Sequence, residues 1–559
     1  MSLNLIVAQS IDEFNFVKSK VREDYKCLPL NLDLLLFCEL NKIPFINLRE
    51  YFDNNAHIEG LNESEKFLED CDFGEFNHGV FLKRYKNLVR NYFNSVFFLK
   101  FILSKIEKKE KIEKIYISGW KKKNIDKPNK NYIIYEICKV ISSKIIIVGQ
   151  EEDDNSSEEK TYFYKLKKKY EKKNDTTKII FLNFGYNFKR ILYKVLIRKN
   201  KIIYITFEKI NFFKSLILKI LGVNIFSFEK IAINLEKKNI QKLNKIYNDK
   251  DILNIINKRN HFFYKQIQDL SHKCVALKEF IQKLEPHFVF LNLIRGVDGY
   301  LATLSREFNF KSICIPHGTI SSVFDHNDGI YKKIIAENVF SGDSKYFSIQ
   351  SKIAEKSLSS HQIKGEAIIT GNLIFSDIDK TKIKKREYIL YAVTMKDFIN
   401  YQFFGVEMFY EFYENLITLD KLAEKEKLKI IVKPHPSIIH LTTDLQKKFQ
   451  NLIFSKDKVE NLLKKTFLTI SYSSTVIEDS ICNKIPVILF DQWRRYKHCY
   501  SSENPNKLNQ FLYYVKKKED LITTIETIKN SDKEKFSDFI FTDCNPKKNI
   551  DKLLKKFNL

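Results

Sequence analysis

The feature of this chain that most restricts its fold is an alternation. Short runs rich in Ile and Val recur between long amphipathic stretches over most of the sequence. Runs at Leu3–Ala8, Lys114–Ser118, Lys144–Gly149, Lys178–Asn183, Lys201–Thr206, Phe288–Asn292 and Ser312–Pro316 have the length and residue types of buried strands. Helix-length stretches such as His78–Lys108 and Asp251–Leu284 separate several of them. Strands joined by helical crossovers lie parallel, and parallel sheets are covered on both faces. A second series follows Gly371, with strands expected at Tyr388–Val393, Lys429–Lys433, Thr466–Ser471 and Pro486–Phe490. Helices fill the intervals at Val406–Glu426, Thr442–Phe449, Lys456–Lys464 and Ser474–Cys482. The expectation is an α/β chain with an N-terminal domain over residues 1–370 and a second domain over 371–505. Residues 374–386 form the connection, and residues 506–559 form a helical tail that packs back on the first domain.

A chain of 559 residues, 44% of them hydrophobic, can bury the cores of two or three domains. Its 95 Lys and Arg against 69 Asp and Glu give a formal charge of +26, which favours anionic partners. The lysines are spread along the chain, so most read as solvated faces, and the remainder suit an anionic substrate or membrane surface. No aromatic–basic pattern of the nucleic-acid modules is present, so nucleic acid is not an expected partner. Nine cysteines with no CxxC spacing argue against a disulfide framework and a cysteine zinc site, which points to reduced thiols and the cytoplasm. The first residues read as a strand rather than a signal peptide. No apolar stretch reaches about 18 residues, the length of a membrane span. The most apolar segment, Ser215–Phe228, is interrupted by Lys219 and reads at most as an interfacial helix. The expected location is cytoplasmic, with peripheral association at the inner face of a membrane as the further option. Glu151–Lys160 is an acidic loop.

Chemistry-bearing residues gather where strands end. Lys433-Pro434-His435-Pro436-Ser437 follows the strand Lys429–Val432, and its two prolines restrict the backbone around one imidazole. Lys433 and His435 are suited to phosphate oxygens. Ser471-Tyr472-Ser473-Ser474-Thr475 follows the strand Thr466–Ile470 and opens a helix, where hydroxyls and main-chain N–H groups serve either as caps or as anion ligands. Glu478, one turn on, suits a ribose hydroxyl or a capping box. The interval between His435 and Ser473 holds one helix–strand–helix–strand passage, which returns the chain to the same sheet edge. In the first domain, Ile315-Pro316-His317-Gly318-Thr319 ends a strand. His317 has the pKa range of a general base, and Gly318 lets a ligand approach closely. Arg295-Gly296-Val297-Asp298-Gly299 ends another strand. Here Asp298 suits the cap of the helix Tyr300–Phe308, and Arg295 pairs with it or binds an anionic group. Thr370-Gly371-Asn372 ends the strand Ala367–Ile369 and Thr394 follows the strand Tyr388–Val393, and from the residues alone both read as turns. Together the lysine, histidine and hydroxyls can face one pyrophosphate. No P-loop, HExxH, GxSxG, EF-hand or strand-borne DxD pattern occurs.

The His-Pro motif followed by Ser-Ser-Thr at a helix start resembles the donor sites of GT-B transferases. These include bacterial sialyl- and polysialyltransferases, capsule Kdo transferases and the CDP-glycerol glycerophosphotransferases of teichoic acid. The resemblance is clearest over Lys429–Tyr496, where Lys484-Ile-Pro-Val-Ile-Leu-Phe-Asp491 is similar to the "KPxxxYD" stretch of several of them. It implies a GT-B-like fold, with two Rossmann-like domains whose parallel sheets face a cleft. It also implies that His435, Ser473 and Ser474 contact donor phosphates. His317-Gly318 resembles the "HG" element of the glycerophosphotransferases but lacks the Trp of their "TWHGT" pattern. Val297-Asp298-Gly299 keeps half of the acidic "D/E-D/E-G" element of the sialyltransferases, and Thr370-Gly371-Asn372 resembles the "TGN" crossover turn of related enzymes. The activity implied is metal-independent, cofactor-free, inverting transfer from a CMP-, CDP- or UDP-linked donor to a capsular polysaccharide or lipid-linked glycan. His317 or Asp298 would serve as base. The competing readings are glycerophosphate transfer, a nucleotide-sugar 2-epimerase of the same architecture, and a polyanion-binding protein without catalysis.

Overall fold

The computed structural model describes residues 3–22, 24–53, 55–69, 79–119, 144–149, 160–167, 177–182, 188–198, 201–234, 250–316, 342–358, 363–375, 377–378, 385–393, 407–494, 497, 499–532 and 544–559. Among them run three sheets. The first contains β1 (Leu3–Ala8), β2 (Tyr25–Pro29), β3 (Ile112–Ser118) and β4 (Ile145–Val148) in the order β2-β1-β3-β4, all parallel. The second contains β5 (Lys160–Leu166), β6 (Lys178–Phe181), β7 (Lys201–Thr206), β8 (Asn224–Asn234), β9 (Phe288–Leu291), β10 (Lys311–Cys314), β11 (Tyr346–Ile349) and β12 (Glu366–Ile369). Their order is β12-β11-β10-β9-β6-β7-β8-β5, and only β5, paired with β8, runs antiparallel. The third contains β13 (Tyr388–Tyr391), β14 (Ile430–Val432), β15 (Leu452–Phe454), β16 (Thr466–Ser471), β17 (Val487–Phe490) and β18 (Leu512–Val515) in the parallel order β15-β14-β13-β16-β17-β18.

The α/β class with parallel sheets in separate Rossmann-like units is as expected. The third sheet has the doubly wound order 3-2-1-4-5-6 in its own strands, and β6 to β11 repeat that order in the second. The division of the chain is richer than the sequence suggests. Residues before Gly371 hold two sheets, because β3 pairs with β1 and not with β6. Residues after 505 are not helical throughout. β18 pairs with β17 and completes the third sheet, and Tyr513 is fully buried there.

The second sheet is buried on both faces. Ile179, Phe181, Phe288, Phe290 and Ile313 enter one core, and Ile180, Val289, Leu291 and Cys314 enter the other, as the two-residue period of a strand requires. The first core also holds Ile550, Leu553, Leu554 and Phe557 from the last helix, Pro546–Lys556, and its C-cap. The Phe557 ring lies 4.9 Å from Phe288 and 4.8 Å from Tyr346. Asp551 on that helix meets Lys194 at 2.7 Å. The chain end therefore returns to the second sheet.

The first sheet is joined to the third by one continuous core that runs from Leu5 and Leu28 to Leu416, Ile470 and Ile525. Buried Tyr410 donates its hydroxyl toward the carbonyls of Pro29 (3.0 Å) and Ile46 (3.2 Å). The Trp493 ring lies 4.7 Å from Phe52, and its indole donates to Glu414 at 2.6 Å. The long helix Gly79–Glu110 belongs to this core and also touches the helices Lys250–Leu284 and Gly296–Glu307 of the second lobe, the one built on the second sheet. At Gly299 an added Cβ would lie 2.9 Å from Val80 Cγ1 and 3.0 Å from the Ile294 backbone, so the two helices meet where glycine leaves room.

Candidate functional site

In a doubly wound sheet, the crevice opens beyond the carboxyl ends of the two strands at which the winding reverses. In the third sheet those strands are β13 and β16. The loop after β16 is Tyr472-Ser473-Ser474-Thr475, and the neighbour of β13 on its other side, β14, runs into Lys433-Pro434-His435. The topology thus brings the two motifs to one sheet edge, on strands separated only by β13.

His435 is the N-cap of the short 3₁₀ helix Pro436–Leu441, extended at φ −62°, ψ 147° between its prolines. Its Nδ1 accepts from the Ser437 backbone N–H at 3.3 Å and lies 2.8 Å from Ser437 Oγ. A main-chain N–H can only donate. Nδ1 is therefore the unprotonated nitrogen in the neutral ring, and Nε2 carries the proton as a hydrogen-bond donor. Ser437, the last residue of the motif and given no role from sequence, sets this tautomer. Lys433 is held by its main-chain N–H to Tyr391 O (2.9 Å), and its ammonium lies 3.4 Å from the Lys456 carbonyl. Desolvation lowers the Lys433 pKa, and Asp457 partly opposes that. Pro436 is exposed at the start of the 3₁₀ turn.

The helix after the serine loop is Val476–Cys482, and Thr475, exposed at its N-cap, makes no side-chain cap bond. Ser474 Oγ accepts from the Val476 N–H at 3.2 Å, so this hydroxyl shapes the turn. The half-buried Ser473 has no hydrogen bond to any described residue. Ser471, at the end of β16, is fully buried with its hydroxyl unpartnered among the described residues. Glu478 is buried on the first turn, and with no cap bond at Thr475 the capping box does not form.

The second sheet reverses its winding between β6 and β9. The loop after β9 ends at Arg295, and Asp298 lies on the helix that follows. The helix starts at Gly296, which takes a left-handed φ of +58° that glycine tolerates. Its N-cap is Arg295, without a side-chain cap bond. The expectation that Asp298 caps a helix beginning at Tyr300 is thereby corrected. The turn at Gly296 starts the helix earlier and puts Asp298 inside its first turn. Burial pushes the Asp298 carboxyl up to about 7, against the pull of Arg295. The charge of Asp298 in turn adds to the burial-driven rise of the Cys314 thiol, so the carboxyl lies close to the end of β10, two residues before Pro316. Burial, with Arg295 adding to it, lowers the guanidinium of Arg84 on the long N-terminal helix. A cavity of about 290 Å³ is lined by Lys83, Lys86, Gly299, Thr303, Asp343 and Lys364, and Asp298 is not among its lining residues.

His317, Gly318 and Thr394 lie outside the described residues. The segment leading to His317 is anchored, since buried Gln350 donates to the Pro316 carbonyl at 3.0 Å and accepts from the Leu373 N–H at 3.2 Å. Gln350 carried no motif that could have marked it. At the crossover, Gly371 has φ +67°. Asn372 is 1% exposed; its amide accepts from Phe375 N–H and donates to the carbonyls of Phe375 and Cys544. Asn372 thus ties the crossover to the returning C-terminus, and its amide points into packing rather than toward an acceptor.

No protein-family model and no curated protein matches the chain. Solved structures with a similar course include the UDP-GlcNAc 2-epimerase of Methanocaldococcus jannaschii (13% identity, TM-score 0.40), which covers 68% of this chain and 99% of that one. The UDP-GlcNAc 2-epimerase of Neisseria meningitidis (11%, TM-score 0.38) covers the same shares. The wall teichoic acid polymerase TagF (12%, TM-score 0.37) covers 68% of this chain and 88% of its own. At such scores these likenesses carry no argument about activity, and the chain is described by its own topology and site.

Proposed function

We propose that this chain is a metal-independent, inverting glycosyltransferase. It takes a sugar from a CMP-, CDP- or UDP-linked donor and passes it to a polysaccharide or lipid-linked glycan at the cytoplasmic face of a membrane. The reading rests on the serine loop and the His-Pro turn, which flank the winding reversal of the third sheet, and on His435 as an Nε2–H donor. The third lobe is the donor side and the second lobe the acceptor side. Lys433, Nε2–H of His435 and the Ser473 hydroxyl would stabilise charge gathering on the departing nucleotide phosphate. Ser474 and Thr475 would hold the loop that presents Ser473, and Glu478 and Thr394 would face the ribose or sugar. On the acceptor side a carboxyl at about 7 is matched to accept a hydroxyl proton near neutral pH, and Asp298 has that value. His317 is the other candidate base. Arg295 and Gly318 would border the acceptor.

The test is a thermal-shift series with CMP, CDP, UDP, GDP and ADP on the wild type and on His435→Ala. One nucleotide should raise the melting temperature of the wild type and not of the variant. No shift with any nucleotide, or an equal shift in both proteins, would sink the donor-site assignment. Conversion of a sugar nucleotide with no acceptor present would replace transfer by epimerisation.

A further inference from the structure

The helix Phe212–Ile220 crosses from β7 to β8 and carries its apolar residues outward. Leu218 is its one buried residue, whereas Phe212 is 74%, Phe213 72%, Ile217 57% and Ile220 75% exposed, with Leu216 also exposed. At about 100° per residue, Phe212, Leu216, Ile220, Phe213 and Ile217 fall in one arc of about 140°. Leu218 points to the opposite side, into the core of the second sheet. Lys214 and Lys219, both exposed, stand at the two borders of the arc, and the helix has no Asp or Glu. The neighbouring crossover helix Lys189–Ile197 packs into the same core and exposes Tyr193 (64%) and Ile197 (61%).

We propose that this face docks on an anionic membrane surface, the phenylalanines and isoleucines entering the acyl boundary and the bordering lysines reaching the headgroups. Charge decides the occupant. In a two-fold pairing of copies each lysine-bordered arc would meet the same positive rim, while anionic headgroups complement it. The helix begins at Asn211, beyond the carboxyl end of β7, the edge of the sheet from which the Asp298 loop also leaves. Docking there brings the acceptor side of the cleft to the membrane. The inference stands independently of the donor-site reading.

The test is sedimentation of the full chain with vesicles of phosphatidylcholine alone and of phosphatidylcholine mixed with phosphatidylglycerol, alongside its mass in solution by light scattering. Wild type should sediment with the anionic vesicles. Phe213→Ser/Ile217→Ser should lose on the order of tenfold or more of that partitioning, with an unchanged melting curve since both positions are exposed. Lys214→Gln/Lys219→Gln should lose the preference for phosphatidylglycerol. Failure of the wild type to sediment, or equal partitioning of the serine variant, overturns the proposal. So does a wild-type dimer that the serine variant turns into a monomer without any vesicle binding.

Discussion

Replacing Asp298 by Asn tests the electrostatics of the acceptor side with little change of shape. The carboxyl titrates at about 7 in the folded chain against a reference of 3.8, because burial disfavours its charged form more than Arg295 favours it. An acid raised in this way favours the fold only while protonated. Its contribution is full below about pH 4 and is lost as pH rises to about 7. If the whole shift is expressed, the wild type loses about 2.6 kcal/mol from this residue between pH 5 and pH 8, and the Asp298→Asn variant loses none. Asp298 is only partly buried, so solvent screening reduces this to about 1–2 kcal/mol. For a lobe of this size, that corresponds to roughly 2–8 °C. Thermal melts of both proteins at pH 5 and pH 8 should therefore show the advantage of Asp298→Asn growing with pH by that amount. A difference that stays flat with pH would mean an ordinary, solvated carboxylate and would refute the reasoning. If the same group is the base, wild-type kcat/KM rises with pH through about 7, and the variant falls by about 10²–10⁴-fold.

Ser473→Ala should leave the melting temperature unchanged and weaken nucleotide binding, whereas Ser474→Ala should lower stability by about 1 kcal/mol through the lost bond to Val476, both read by melts with and without nucleotide. Asn372→Ala removes an acceptor and a two-pronged donor from buried main-chain groups and should destabilise by about 2–5 kcal/mol in urea titrations. In Gly342→Ala the new Cβ would overlap Ile294, so a loss of about 1–3 kcal/mol is expected by the same measurement, and full stability would show that the Asp343 turn yields freely.

The buried strands were legible because an Ile-rich run of four to six residues between helical stretches fits a covered sheet and little else. β6 and β7 are instances, with Ile179, Ile180, Ile202 and Ile203 all fully buried. β8 was not legible. Ser215–Phe228 reads as one apolar segment, and only the turn at Gly222, φ +75°, divides the exposed helix from the strand. β18, four residues beside a lysine run, gains its identity from pairing with β17, a contact no local pattern announces. His435 and Ser473 were legible as site candidates because strand, motif and helix follow one another in sequence. That they flank a winding reversal was not, since strand order is a property of the folded sheet. Asp298 looked like a cap because Tyr300 begins the apolar period of the helix. The turn that starts it earlier depends on the backbone of Gly296.

The core shared by the first and third sheets has a consequence during synthesis. The first sheet is complete once Val148 has been made, but its partners from the third sheet's lobe, Tyr410 on Pro29 and Ile46 and then Trp493 on Phe52, begin about 260 residues later. At translation rates of about 5–20 residues per second, the nascent unit waits roughly 13–50 s with the Pro29 and Ile46 carbonyls and the Phe52 ring lacking these partners. Such an intermediate is a natural client for ribosome-associated chaperones. Cutting the gene between the lobes would leave both halves with an open core rather than two independent domains.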